Sequence, residues 1–225
     1  MLIMDPKYRM AIIAGILLLS FAITLAAYPV LPDRLASHWG LSGDANGYLP
    51  KIWGLAIVPV LSAALTILFL AIPRIDPLRA NIAKFREAFD AFIMLFLAYM
   101  LYVQLLVIAW NLGLRFNFGQ LLSPAFGVLF YAIGILVGKA RRNWFIGIRT
   151  PWTLSSDRVW DKTHALGGKL FRIAGIIALL GILSPALAFV CIIGPVFLIS
   201  VYLVVFSYLE YRKEEEHAGA APGPA

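Results

Sequence analysis

The stretch I-A-G-I-I-A-L-L-G-I-L-S-P-A-L-A-F-V-C-I-I-G-P-V-F-L-I-S-V-Y-L-V-V-F-S-Y-L, Ile173 to Leu209, contains no charged residue. A helix rises about 1.5 Å per residue and a bilayer's hydrocarbon core is about 30 Å thick, so about 20 apolar residues cross it once. The run is too long for one ordinary crossing. Ser184-Pro185 interrupts it, and proline removes a backbone donor and resists the helix interior. Two helices, over roughly 167–183 and 186–209, joined by a very tight hairpin, fit the run. One kinked helix is the competing reading.

Working outward, four more uncharged runs appear: Met10 to Pro32, Ile52 to Pro73, Ala91 to Leu114 and Phe116 to Gly138. Each is long enough for one span. Lys7 and Arg9 ahead of the first run resemble a signal peptide, but its apolar part exceeds the usual h-region of about 7–15 residues, so it reads as a retained helix. Of the 225 residues 61% are hydrophobic and 14% charged, against about 25% charged in an ordinary soluble domain. The mean hydropathy is +0.85. A soluble enzyme, a disordered chain and a disulfide scaffold are excluded, the last because Cys191 is the one cysteine. The expected fold is all-α: a polytopic membrane protein with six transmembrane helices, or five if the last run is one helix.

The net charge of +7 comes from residues in loops beside the apolar runs, where cations set orientation and meet anionic head groups. No nucleic-acid motif is present, and no cofactor is called for; membrane lipid is the partner this charge implies. Six spans put both termini on one side, with Lys7, Arg9, Arg74, Arg79, Lys84, Arg86, the basic residues of 139–169, Arg212 and Lys213. Arg34, Lys51 and Arg115 fall on the other. The positive-inside rule then predicts cytoplasmic termini and an inner-membrane location. The organisation is an N-terminal two-span unit over 1–72, the third and fourth spans over 73–138, a motif loop with the last two spans over 139–210, and a disordered tail over 211–225. No internal repeat is visible, which weakens any transporter built from paired halves.

The predicted external loop, 29–51, holds L-P-D-R-L-A-S-H-W-G-L-S-G-D-A-N-G-Y. Pro32 ends the first helix and Asp33 caps a short turn through Arg34 to His38. Gly43 and Asn46-Gly47 mark turns, and Trp39 and Tyr48 are interfacial anchors. His38 with Asp33 and Asp44 suggests a metal or acid–base group, but the spacing matches no known ligand pattern, and turn capping is the favoured reading.

The predicted cytoplasmic loop is denser. In R-R-N-W-F-I-G-I-R-T-P-W-T-L-S-S-D-R-V-W-D-K-T-H-A-L-G-G-K, from Arg141, Pro151 pushes Thr150 into an extended conformation. Ser155 or Ser156 caps a helix on which Trp160, His164, Gly167 or Gly168, and Phe171 share one face. The helix reads as amphipathic, lying on the membrane and feeding the fifth span. Arg149 and His164 are a candidate pair for phosphate or carboxylate. The favoured alternative is that Arg149 and Asn143 tie the loop to helix ends and head groups.

The segment N-W-F-I-G-I-R-T-P-W-T-L followed by V-W-D-K-T-H-A-L-G-G-K resembles the SdpI family of bacterial membrane proteins. The external segment resembles a domain of unknown function that precedes the SdpI region in such proteins. The cytoplasmic family pattern falls on Asn143, Gly147, Arg149, Thr150, Pro151, Trp152, Thr153, Leu154, Trp160, Thr163, His164 and Gly168, and the external one on Pro32, Asp33, His38, Gly43, Asp44 and Tyr48. The resemblance implies an immunity protein and receptor, protecting its host from a secreted antimicrobial peptide toxin and holding a cytoplasmic transcriptional repressor at the membrane when toxin is present. The rival classes are a transporter and a membrane-embedded metal-dependent enzyme. Ionisable residues deep in spans mark a transporter, yet Asp90, Arg172 and Glu210 sit near span ends. The polar groups deeper in, Tyr99, Tyr102, Gln104 and Tyr131, suit hydrogen bonds between helices better than an ion path. An enzyme is disfavoured because no catalytic motif is present and His38 and His164 fall on opposite sides of the membrane.

Overall fold

The computed structural model describes residues 5–219. Asp5 caps helix α1 (Pro6–Ala27) by accepting the Lys7 N–H, with Pro6 at the first helical position. A 3-10 turn over Tyr28–Val30 leads to strand β1 (Arg34–Trp39) and antiparallel strand β2 (Ala45–Pro50). Helix α2 (Lys51–Ile75), a short α3 (Arg79–Ala83) and α4 (Arg86–Asn111) follow, then α5 (Phe118–Lys139). After the loop come α6 (Pro151–Ser155), α7 (Asp157–Leu179) and α8 (Pro185–Gly219). Six helices are long and apolar enough to cross a membrane.

The Ser184-Pro185 break resolves the long run into two helices. A 3-10 turn over Leu180–Leu183 ends α7, Ser184 Oγ accepts the Leu187 N–H, and Pro185 starts α8, where a missing N–H costs nothing. Three expectations are corrected. The external segment is a β-hairpin rather than a capped turn: β1 absorbs Arg34 to His38, and Asn46-Gly47 lies within β2 while the chain reverses at Gly40–Gly43. The amphipathic segment from Asp157 is no separate surface helix; it is the first part of α7, continuous with the fifth span, and its inner face is covered by protein. In the tail, α8 stays helical through Tyr211 to Gly219, because Glu210 and Glu214 find partners on α7 and its cap; residues 220–225 lie outside the described residues.

The helices pack as two contiguous groups. In the first, α1, α2 and α4 contact one another; in the second, α5, α7 and α8 do, and α4 against α5 joins the groups. Buried polar side chains tie the first group: Ser20 Oγ donates to Gln104 Oε1, and Gln104 Nε2 donates to the Ser20 carbonyl and to Thr24 Oγ1. Small residues tie the second. A Cβ on Gly168 would lie 2.8 Å from the Gly134 carbonyl, and one on Gly175 2.6 Å from that of Gly127. Only hydrogen at these positions lets the backbones of α5 and α7 meet.

Both described chain ends lie at one end of the bundle. Arg9 on α1 pairs with Asp90 at the start of α4, and Lys162 on α7 pairs with Glu210 on α8. The 140–150 loop lies at this end, tied to α2 and α3 by Trp144 N–H to Asp76 Oδ2 and Asn81 Nδ2 to the Arg142 carbonyl. The hairpin caps the opposite end. An apolar cluster seals the two helix groups at the loop end, with Ile82, Phe85 and Phe89 from one and Leu136, Ile146 and Trp160 from the other side.

Candidate functional site

The loop end gathers the densest motif, and its side chains chiefly satisfy one another. Asn143 is fully buried; its Nδ2 donates to the carbonyls of Arg141 and Ile146, and its Oδ1 accepts the N–H groups of Phe145 and Ile146. Gly147 has φ +118, and a Cβ there would collide with His164 Nε2. That ring nitrogen accepts the Ile148 N–H at 3.0 Å, and Nδ1 donates to the Trp160 carbonyl at 2.8 Å. The hydrogen-bond network thereby assigns the neutral Nδ1–H tautomer. The imidazole stacks on Trp160 at 3.8 Å between centroids, and Trp160 Nε1 donates to the Ala140 carbonyl.

The next residues close the same plug. Thr150 and Thr153 form a reciprocal cap at the start of α6, with Pro151 at the first helical position. Thr153 Oγ1 donates to the Ile148 carbonyl, and the Thr150 hydroxyl lies 3.0 Å from that of Ser207 on α8. Trp152 packs against Tyr208, and the Leu154 carbonyl accepts from Arg142. Gly168 makes the α5 crossing, and Thr163 is buried with its hydroxyl unpartnered among the described residues. Arg149 stays exposed and donates to the Trp144 carbonyl at 2.6 Å, pinning the loop. The predicted Arg149–His164 anion pair is therefore not assembled: the imidazole is buried with both nitrogens used, while the guanidinium points to its own loop.

The hairpin end is built differently. Gly54 on α2 has room only because it lacks a Cβ, which would sit 2.9 Å from that of Leu35. Asn111 at the end of α4 pairs with both backbone groups of Ala36, extending the β ladder with a side chain. Asn117 Nδ2 holds the tip through the Ser42 carbonyl, beside Gly43 at φ +88. Trp39 stacks on Phe118 at 3.9 Å and meets Trp110 edge-on, and Arg115 covers Trp110. Trp39 Nε1 is buried without an acceptor among the described residues, a loss of about 1–3 kcal/mol where no partner is found.

The external candidates do not converge. Pro32 and Asp44 are exposed, His38 Nδ1 lies 2.5 Å from Asn46 Oδ1, and exposed Asp33 lies 3.6 Å from Lys51 Nζ. Tyr48 is half-exposed on β2. Among the described residues no three His, Cys, Asp or Glu side chains are grouped to hold a metal ion.

Beneath the hairpin lies a cavity of about 590 Å³, walled by α2, α4, α5 and α8. Sequence reasoning missed it, along with Asn111 and Ser207, while Gln104 bonds between helices as its place in an apolar run implies. A polar residue inside such a run was the signal for Ser207 as well, and it marks an interhelical contact without naming the partner.

Residues 139–209 match the SdpI/YfhL protein family, and residues 15–63 match a domain of unknown function, DUF1648. The immunity protein SdpI of Bacillus subtilis (strain 168) is 28% identical over 199 residues, covering 88% of this chain and 93% of that protein. No solved structure matches.

Proposed function

As a member of the SdpI/DUF1648 family of bacterial multi-pass membrane proteins, this chain is, we propose, an immunity protein that protects its host from a secreted antimicrobial peptide and relays the peptide's presence inward. The observation that carries the reading is the similarity to the SdpI immunity protein along 88% of the chain, both loops included. Under the positive-inside rule the loop end, where most Lys and Arg collect, is cytoplasmic, and the hairpin faces outward. The hairpin then meets the peptide with exposed Leu41 and Tyr48, and Trp53 of α2 is exposed at the same end, apolar groups suited to a ligand arriving at the bilayer interface. The loop end, rigid and basic, is the face offered to a cytoplasmic repressor.

Transport and metal-dependent catalysis find less support. Asp90 is paired with Arg9 and Arg86 at a span end, and no metal-holding group occurs among the described residues.

The test is survival of a toxin-sensitive bacterium exposed to an SdpI-type killing peptide, with the protein at matched membrane abundance. Wild type is expected to raise survival at least tenfold, and Leu41→Ser with Tyr48→Ala to remove most of that gain. Absence of protection by well-inserted wild type would overturn the reading.

A further inference from the structure

The cavity beneath the hairpin carries an assignment independent of the immunity reading. Its walls come from Val58 on α2, Val107 on α4, Leu122 on α5 and Ala188 on α8, with few polar atoms below the rim formed by Ser37 and Asn117. Three lining residues remain about half exposed: Ile57 at 53%, Phe189 at 49% and Ile193 at 51%. They stand on α2 and α8, which belong to different helix groups. The cavity is therefore a cleft that opens sideways between α2 and α8, toward the space that lipid fills around a membrane protein. From Asn117 to Phe126 on α5 it extends about 13 Å along the helix at about 1.5 Å per residue, close to half of a hydrocarbon core of about 30 Å. It spans the depth of one leaflet.

Size and chemistry select the occupant. A transmembrane helix needs about 20 residues to cross the core, and the cleft reaches only about half that depth, from Asn117 to Phe126, so a spanning helix would leave half its length outside it. An extended peptide brings a donor and an acceptor per residue. The walls are helices whose backbones are already bonded internally, so those groups would be stranded. A hydrocarbon chain has no such need. We infer that this cleft is a binding site for one acyl chain of a membrane phospholipid, entering between α2 and α8 with its head group at the hairpin rim. The bound chain completes the packing between the helix groups where the protein's own side chains do not meet.

The full-length protein is reconstituted in vesicles of phosphatidylcholine and phosphatidylglycerol, part of the phosphatidylcholine carrying a diazirine near the end of one acyl chain. After illumination, adducts are mapped by mass spectrometry. Adducts are expected on the inner wall at Val58, Val107 or Leu122. The filled variant Val107→Phe/Leu122→Phe should lower them at least tenfold, with no change at Ile67 on the outward face of α2. The milder Val58→Leu, less disturbing to folding, should lower them severalfold. Lack of adducts on the inner wall, or equal adducts in both filled variants, would overturn the assignment. So would displacement of the labelled chain by an apolar transmembrane peptide but not by unlabelled phospholipid, an outcome that gives the cleft to a peptide.

Discussion

The two ends of this bundle solve the same problem with opposite means. At the loop end, irregular backbone between membrane helices is partly buried, and Asn143, His164, Trp160 and Thr153 bond its groups from within. At the hairpin end the irregular backbone pairs with itself as a ladder, Asn111 completes one edge, and the space below stays open. A backbone that is sealed by side chains has one arrangement. The hairpin instead pairs with itself and is moored at a few points, by Asn111 to Ala36, Asn117 to Ser42 and Trp39 to Phe118, so each mooring carries a larger share of its placement.

The largest effect expected from this contrast is at the α5–α7 crossing. Gly168→Leu drives a side chain into the Gly134 carbonyl and Gly138 Cα, each 2.8 Å from where its Cβ would sit, and should cost about 3 kcal/mol. Fluorescence-detected size-exclusion after heating should show a large fall in the midpoint, and an unchanged midpoint would mean that the close α5–α7 approach does not hold the second helix group together.

Those glycines show what a sequence reveals and withholds. Helix number was legible because burial in lipid demands long uncharged runs, and the break at Ser184-Pro185 because proline lacks a donor. The shared face of Trp160, His164 and Gly168 was legible from helical spacing. What covered that face was not, since periodicity cannot distinguish lipid from the turn at Gly147 and the helix α5. The hairpin escaped because Asn46-Gly47 is a strong turn signal. Here Gly47 serves a strand, where a Cβ would come within 2.9 Å of the His38 Cβ.

The next effect sharpens the claim that the loop end is sealed from within. His164→Ala leaves the Ile148 N–H without its partner and removes the ring stacked on Trp160, and about 2 kcal/mol is the expected cost. Hydrogen exchange over residues 143–150 should accelerate at least tenfold while the hairpin amides keep their rates. Equal acceleration at both ends would break the comparison. The smallest effect is at the tip: Gly43→Ala forces a side chain into φ +88 beside Asn117, at about 1 kcal/mol. Limited proteolysis should cut faster at the tip with the bundle's melting midpoint almost unmoved.

The grouping of helices has a consequence for how the chain enters a membrane. Each group is contiguous, α1 to α4 and then α5 to α8, and each contributes three spans. An odd number reverses sides, so the second half starts on the face where the first half finishes. Its own orienting charge is at hand, with Lys139 ending its first span and Arg141, Arg142 and Arg149 between that span and the next. The passage from one group to the other falls at residues 112–117, and the apolar cluster of Phe89, Leu136 and Trp160 at the far end is what joins the two triplets of spans into one bundle.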